Sequence, residues 1–184
     1  MSLQRRHPDA GHCCPAKLPK GPNGRSCCRE CGDEVPIGRY TFCSGACVEA
    51  WNLKSSPAAQ RHAVLQRDHG ICANCGRDCL ALEEKFAKIR AEACRYGTDP
   101  KVLAEAWKRA RRIHGWRIRL GLGTDTSLWQ ADHILPVCQG GGPERGQTCA
   151  EVMANLRTLC TPCHKAETRE LARRRAAARK ASRS

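Results

Sequence analysis

The sequence predicts a small α+β protein in which zinc ions, rather than a large apolar core, hold short elements together. Three observations lead to this fold class. Fifteen cysteines occur among 184 residues, and eight of them stand in Cys-x-x-Cys or Cys-x-x-x-Cys pairs. Only two Phe and two Tyr are present, so few large side chains can build a core. Two short strand patterns and a long helical pattern follow one another near the C-terminus, within a chain whose length suits one domain plus a small lobe.

The paired cysteines are predicted to bind metal rather than to form disulfides. Paired spacing is typical of zinc ligands, and no apolar signal segment follows Met1–Pro8. A secreted disulfide scaffold is the alternative, and it would need an oxidising compartment. No stretch approaches the roughly 18 apolar residues that span a bilayer. We therefore expect an intracellular protein that is neither secreted nor embedded in a membrane: cytoplasmic or nucleoid-associated in a bacterium, nuclear in a eukaryote.

Four segments are predicted along the chain. Residues 1–26 are basic, rich in Pro and Gly, and without an apolar period, so we expect disorder. Residues 27–54 form a four-cysteine zinc knuckle. Residues 55–168 form the main domain, with a helical insertion at 80–114, where apolar residues recur at helical spacing. Residues 169–184 form a basic C-terminal helix or tail.

The first predicted zinc site lies in the knuckle. A Cys-x-x-Cys pair is followed at once by Gly32, which suits a tight turn. Ser44 is a plausible N-cap for a helix that holds the second pair. Cys27 competes with its neighbour as a ligand, but only Cys28 gives Cys-x-x-Cys spacing with Cys31. The expected ligands are Cys28, Cys31, Cys43 and Cys47.

The second predicted zinc site joins distant parts of the chain. Cys72-x-x-Cys75 has no nearby partner, and Cys160-x-x-Cys163 follows after 84 intervening residues. One zinc bound by both pairs would tie the two ends of the main domain together. Closing so long a loop is entropically costly for the unfolded chain, so a metal at this point would stabilise the fold.

Strand, loop, strand and helix are predicted between residues 128 and 184. Leu128–Leu135 and Asn155–Leu159 are the two strands, and a glycine-bearing loop at 136–152 connects them. Thr161 is expected to cap a helix that has Pro162 in its first turn. The pattern therefore indicates a ββα unit.

The net charge of +14 favours a polyanionic partner. Residues 101–120 carry seven Lys or Arg against one Glu, and residues 165–184 carry eight against two. A solvated helix face is the alternative for either cluster. We favour nucleic acid because both clusters flank the ββα unit. The candidate contacts are Lys108, Arg109, Arg112, Arg157, Lys165, Arg173 and Arg174.

The ββα unit carries side chains suited to phosphodiester hydrolysis. Asp132 and His133 are adjacent, Asn155 lies 22 residues beyond that His, and His164 lies nine residues further, directly after Cys163. A histidine can act as a general base on water. An aspartate and a second histidine can hold a divalent cation. An asparagine can fix the geometry.

This order of residues resembles the HNH, or ββα-metal, endonuclease family. The cysteine pairs extend the resemblance over roughly 28–168, where the chain is similar to the nuclease domains of zinc-finger annealing helicases that act at replication forks. The resemblance implies that 55–168 is a ββα-metal nuclease core with a metal between its layers. No Gly-x-x-x-x-Gly-Lys-Ser/Thr motif occurs, so no helicase accompanies it in this sequence.

The resemblance implies a metal-dependent DNA endonuclease that uses one catalytic cation. His133 would be the base, with Asp132 and His164 as ligands of Mg²⁺, Mn²⁺ or Ni²⁺, beside two structural zinc ions. Asn155 either ligates the metal or hydrogen-bonds the backbone near the base, and we favour the second role. A rival interpretation makes His164 a zinc ligand.

The expected substrate is double-stranded or branched DNA, with selectivity for DNA structure and any helicase partner left open. The alternative function is a non-catalytic DNA-binding module with two zinc ions, which would not need an intact Asp-His-Asn-His set. A zinc deaminase is excluded, because none of the seven histidines is followed by Glu two positions later.

Overall fold

The computed structural model of this chain describes residues 11–94, 100–122, 127–144 and 147–182. The chain divides into two compact units, one formed by residues 1–67 and 133–157 and the other by 68–132 and 158–184. The mixed architecture, with helices and a small two-stranded sheet, confirms the α+β prediction. In chain order the elements are α1 (Gly45–Ser55), α2 (Pro57–Asp68), α3 (Cys79–Cys94), α4 (Pro100–Arg119), β1 (Trp129–His133), α5 (Cys149–Ala154), β2 (Leu156–Cys160) and α6 (Thr161–Ala181).

The first unit has a small core built around α1, α2 and α5. Its buried aromatic residue is Trp51, whose ring lies 4.3 Å from the Arg29 guanidinium and 5.8 Å from the Phe42 ring. Lys54 is also buried, and its ammonium is paired with the Glu30 carboxylate. The knuckle is therefore held by one aromatic cluster and one buried ion pair, which fits the scarcity of large apolar residues. Val35, Val64, Val152 and Leu156 are also buried in this unit.

Residues 11–26, which were predicted to be disordered, instead form turns that pack beside the knuckle. Pro15–Lys17 is a single turn of 3-10 helix, and the backbones of Lys20 and Ser26 form an isolated antiparallel β-bridge. The Glu34 carboxylate accepts hydrogen bonds from the backbone N–H groups of Asn23 at 3.1 Å and Arg25 at 2.8 Å. A polar side chain stabilises this segment, so a search for apolar periodicity could not detect it. Residues 1–10 of the same prediction lie outside the described residues.

The second unit packs α3 against α4 and has its own core. Phe86, Leu122 and Trp129 are buried there. The two helices correspond to the insertion predicted at 80–114, although α4 extends to Arg119. In the described part of the chain, no helix combines the length and apolar character that a bilayer span requires. The connection between the helices, at 95–99, and the side chains of Val102, Leu103, Ala106 and Trp107 in α4 lie outside the described residues.

The two strands pair in an antiparallel register. Ile134 donates its backbone N–H to the Asn155 carbonyl at 2.8 Å, and Thr161 donates to the Leu128 carbonyl at 2.9 Å. Both strands are five residues long, so the predicted strand Leu128–Leu135 is too long at each end. Pairing stops after β1 because the chain turns away at Ile134.

The predicted loop 136–152 contains the start of a short helix, α5, that no apolar period in the sequence indicates. Thr148 and Glu151 form a reciprocal capping box at its start. The Thr161 cap was predicted wrongly: α6 begins at Thr161 itself, and this hydroxyl donates to the Ser127 carbonyl at 2.7 Å. That hydrogen bond instead fastens the start of α6 to the segment before β1.

Candidate metal centres and a histidine-bearing cleft

Four cysteines of the knuckle form the first cysteine cluster. Their sulfur atoms all lie within 4.8 Å of one another, and they are the predicted set of Cys28, Cys31, Cys43 and Cys47. Gly32 follows the first pair with a φ of +83°, and its N–H donates to the Cys28 carbonyl at 2.9 Å. Ser44 caps α1 by accepting from the Cys47 N–H at 3.1 Å. The turn and the helix start thus bring both pairs together, and Cys27 is not part of the cluster.

The second cysteine cluster lies in the second unit and repeats this construction. Its members, also within 4.8 Å of one another, are Cys72, Cys75, Cys160 and Cys163. Gly76 has a φ of +68°, and its N–H donates to the Cys72 carbonyl at 2.9 Å. Cys160 ends β2, and Cys163 lies in the first turn of α6. The predicted pairing across 84 residues is therefore found in the fold.

Both clusters fit zinc chemically. Four sulfurs at about 2.3 Å from one tetrahedral ion would lie about 3.8 Å apart. Neighbouring sulfurs lie 3.5 Å apart for Cys31 and Cys43 and 3.6 Å apart for Cys75 and Cys160. The described cysteines form no disulfide. Two clusters of four thiols can therefore each hold one zinc ion, in closed sites of the structural kind.

Each cluster begins with a Cys-x-x-Cys pair, and the more buried cysteine of that pair has a lowered pKa, which favours the thiolate that binds metal. Burial raises the pKa of Cys28, but backbone hydrogen bonds, first among them that of Cys31, outweigh burial and lower it to about 7. The pKa of Cys72 is lowered to about 6 in the same way, with burial opposed chiefly by the backbone of Cys160. These thiols lose their protons readily near neutral pH, as zinc ligands must.

Asp132 and His164 form a pair in the second unit. The His164 Nε2 atom lies 3.7 Å from the Asp132 Oδ1 atom. The His164 side chain is 37% exposed and the Asp132 side chain 18% exposed, so both retain access to solvent. Two ligands at about 2.1 Å from an octahedral ion lie about 3.0 Å apart when they are cis and about 4.2 Å apart when they are trans, and the observed 3.7 Å lies between these two values. The pair can accept a divalent cation, and four cysteines complete the second cluster without His164.

The first unit contains a cleft at the end of β1. The cleft has a volume of about 400 Å³, and His133 is one of its walls. The other lining residues come from the loop after β1, from α5 and from the residue that follows α5. They are Ile134, Leu135, Gly140, Gly141, Pro143, Gln147, Glu151, Val152, Ala154 and Asn155.

Asn155 fastens the loop that forms one side of this cleft. Its side-chain Oδ1 accepts from the Leu135 N–H at 2.7 Å. Its Nδ2 donates to the Leu135 carbonyl at 3.2 Å and to the Gly141 carbonyl at 2.8 Å. These three contacts are with backbone groups, the kind of contact that the backbone-bonding alternative for Asn155 expects. The Asn155 side chain therefore fixes the backbone at Leu135, two residues after His133, and at Gly141.

Gly141 lies closer to its neighbours than any side chain would permit. A Cβ atom built there would lie 1.7 Å from the Leu135 carbonyl oxygen and 2.9 Å from the Asn155 Nδ2 atom. Arg67 supports the same region, since its guanidinium donates to the carbonyls of Met153 and Leu156 at 2.6 Å each. The sequence shows the glycine run at 140–142 but not the contacts that require it. No sequence pattern indicates that Arg67 supports this loop.

Gly141→Ala is expected to displace the loop and lower the stability of the first unit by about 1–3 kcal/mol, the usual cost of overpacking. The reason is the overlap with the Leu135 carbonyl, which cannot be relieved by a side-chain rotation. Amide exchange at Leu135 should accelerate, because its N–H is no longer held by the Asn155 acceptor. Gly45→Ala is the control, since nothing lies within 4 Å of a Cβ there. Equal exchange rates at Leu135 in wild type and Gly141→Ala would contradict this account.

The predicted nucleic-acid contacts lie on helices and at the start of β2. Lys108 pairs with Glu105 at 2.8 Å on α4. On α6 the side chains of Arg173 and Arg174 are 79% and 58% exposed and lie 3.8 and 3.9 Å from Glu170. The exposed members of the predicted set are Lys108, Arg112, Lys165, Arg173 and Arg174, and those with intermediate burial are Arg109 and Arg157.

Comparison with known proteins finds relatives along most of this chain. It is 33% identical over 141 residues to the mouse DNA annealing helicase and endonuclease ZRANB3, covering 77% of this chain. The identities to the cattle and human proteins of the same name are 32% over 142 residues and 30% over 141 residues. The chain is therefore homologous to these proteins over 77% of its length, but it spans only 12% of theirs. No family model matches the chain, and no solved structure matches it.

Proposed function

We propose that this chain is a metal-dependent DNA endonuclease of the HNH type. The observation that carries the proposal is the solvent-accessible Asp132–His164 pair, whose ligand atoms lie 3.7 Å apart. An aspartate with an imidazole, and with positions left for water and phosphate, suits Mg²⁺, Mn²⁺ or Ni²⁺. A divalent cation bound there would offset the charge that develops on the phosphate during hydrolysis.

His133 is the proposed general base. It directly follows Asp132 in the chain, and its side chain lines the open cleft of the first unit, although its Nε2 atom is buried. An imidazole ring ordinarily titrates near neutral pH, so it can take a proton from the attacking water. Asn155 is the proposed positioning residue, since its amide holds the backbone of Leu135, two residues after the base.

The homologues are named as DNA annealing helicases and endonucleases, and these names support a proposal of nuclease activity on DNA. The chain spans 12% of their length, so we propose that it corresponds to their endonuclease activity and not to their helicase activity. DNA is then the expected partner.

Exposed cations on α6 are proposed to contact DNA phosphates. Arg173→Gln with Arg174→Gln should weaken binding of a duplex and flatten its dependence on salt, by about 0.9 in the log–log slope for each phosphate that is no longer bound. Lys17→Gln with Arg39→Gln removes the same charge from exposed positions elsewhere and serves as the control. Equal slopes for the two double variants would mean that only net charge matters and that α6 does not touch the DNA.

The proposed function is tested by incubating the protein with supercoiled plasmid and with an end-labelled fork, each with Mg²⁺, Mn²⁺ or Ni²⁺. Cleavage that requires the added cation, and that stops with EDTA before zinc is released, supports the proposal. Salt-dependent binding to both DNAs without cleavage under any cation would contradict it and favour the alternative, a non-catalytic DNA-binding module with two zinc ions.

A further inference from the structure

The cleft beside His133 is wider than a general base needs. It measures about 400 Å³ and is open to solvent. Ile134 and Leu135 line it although they remain 53% and 47% exposed, and buried Val152 lines it as well. An apolar recess next to a proposed catalytic base is in position to receive part of the substrate rather than a separate ligand.

Charge in the cleft disfavours a phosphate at the end that Glu151 lines. Glu151 lines the cleft, and hydrogen bonds from Thr148 keep the pKa of this carboxyl below its usual value. The carboxylate is therefore ionised at neutral pH and repels an anion. A neutral, flat and largely apolar group fits the combination of apolar walls and one negative charge. In DNA that group is the base.

We propose that the cleft receives the base of an unpaired nucleotide adjoining the bond that is cut. This inference rests on the proposed function and specifies its substrate class. A base in an intact duplex is stacked and paired, and it reaches a recess only after rotating out of the helix. That rotation costs least where the nucleotide has no pairing partner, as at a gap, a bulge or a branch point. The enzyme then prefers such DNA over continuous duplex.

The cleft does not identify which base it holds. The Gln147 side-chain oxygen accepts from the Glu144 N–H at 2.9 Å, and one Glu151 oxygen accepts from the Thr148 N–H at 2.7 Å and from its hydroxyl at 2.8 Å. The Asn155 amide is engaged by backbone groups as well. Base identity is read by hydrogen bonds to base edges, and the Gln147 oxygen, one Glu151 oxygen and the Asn155 amide already make hydrogen bonds within the protein. Selectivity is therefore for an unpaired nucleotide and not for sequence.

Ala154→Trp tests the inference because Ala154 lines the cleft and is exposed at the end of α5. The indole would fill the recess without entering the core. We expect cleavage of a duplex with one bulged nucleotide to fall roughly ten-fold or more, because the cost of rotating the base out of the stack is then no longer offset, and cleavage of continuous duplex to fall by less. Ala150→Trp is the matched control on the same helix, since Ala150 is exposed and does not line the cleft.

A second measurement does not depend on cleavage. With 2-aminopurine as the bulged base and no catalytic cation added, binding of the wild type should raise the emission, because the base leaves the stack and no described Phe, Tyr or Trp lines the cleft. Ala154→Trp should not raise it. Cleavage of bulged DNA should also vary little among the four natural bases at the bulge.

The outcomes separate this inference from the proposed function. One outcome would overturn the cleft proposal and leave the proposed nuclease function standing. In it, cleavage depends on the cation, its rates on bulged and continuous duplex are equal, and Ala154→Trp has no effect. An equal fall on both DNAs in Ala154→Trp would also overturn it, since the cleft would then touch the backbone of any duplex. Absence of cleavage by the wild type would overturn the proposed function, and the fluorescence measurement alone would then decide about the cleft.

Discussion

Cys75→Ser is expected to remove one zinc ion per chain and to unfold the second unit. Cys75 is exposed, so its replacement leaves no cavity in the core, and the effect reports on the metal alone. Structural zinc contributes on the order of 10 kcal/mol to small domains, whereas a whole domain is stable by only about 5–15 kcal/mol. Elemental analysis should find about two zinc ions in the wild type and one in the variant. Loss of near-ultraviolet circular dichroism should accompany it, because buried Trp129 lies in this unit.

Two matched variants serve as comparisons for the loss of zinc and stability expected in Cys75→Ser. Cys31→Ser removes the corresponding exposed ligand of the first cysteine cluster, and it should release the other zinc ion while the second cluster keeps its own. Cys138→Ser changes a cysteine outside both clusters and should change neither zinc content nor stability. Two tightly held zinc ions in Cys75→Ser would show that the second cluster does not need this ligand and that the assignment is wrong.

Both cysteine clusters could be predicted from the sequence because zinc imposes a fixed number of ligands. A tetrahedral site needs four donors, each first pair is brought together by a short turn, and Gly32 and Gly76 mark those turns by adopting positive φ. The remaining question is which pair joins which. Cys72 and Cys75 have no partner nearby, so the pair at Cys160 and Cys163 is the remaining choice, although 84 residues intervene.

The parts that could not be predicted depend on single polar contacts between residues distant in sequence. Glu34 stabilises the turn at 20–26 through backbone hydrogen bonds, which leave no apolar period to detect. The guanidinium of Arg67 holds the carbonyls around Asn155 from another helix. In α5 the capping box is visible as Thr148-x-x-Glu151, but six residues are too few for a helical period to emerge.

For the candidate site, the residue types could be predicted and their surroundings could not. Asp132, His133, Asn155 and His164 are identified by their order in the chain. The choice between two roles for Asn155 requires its amide contacts with Leu135 and Gly141. The cleft beside His133 gives no signal in the sequence, because its walls are ordinary apolar residues that become neighbours only when the loop folds onto α5.

His133→Ala is expected to lower the rate of DNA cleavage by about 10²–10⁴-fold, the usual effect of removing a general base. It removes no cysteine ligand, so zinc content, thermal stability and salt-dependent DNA binding should be those of the wild type. Asp132→Ala and His164→Ala should lower cleavage comparably, but by weakening the hold on the divalent cation. Excess Mn²⁺ is therefore expected to restore part of the activity of these two variants and none of that of His133→Ala.

The control for the histidine substitution is His62→Ala, which removes an exposed imidazole from α2 in the same unit and should leave cleavage unchanged. Rates are measured as single turnovers on the bulged duplex across a series of Mn²⁺ concentrations, so that weaker cation binding separates from a slower chemical step. A rightward shift of the Mn²⁺ dependence is the expected signature of Asp132→Ala and His164→Ala. A lowered plateau with an unshifted midpoint is that of His133→Ala. If His133→Ala instead cuts at the wild-type rate, another group takes the proton from water, and the roles assigned to Asp132 and His164 must be tested without it.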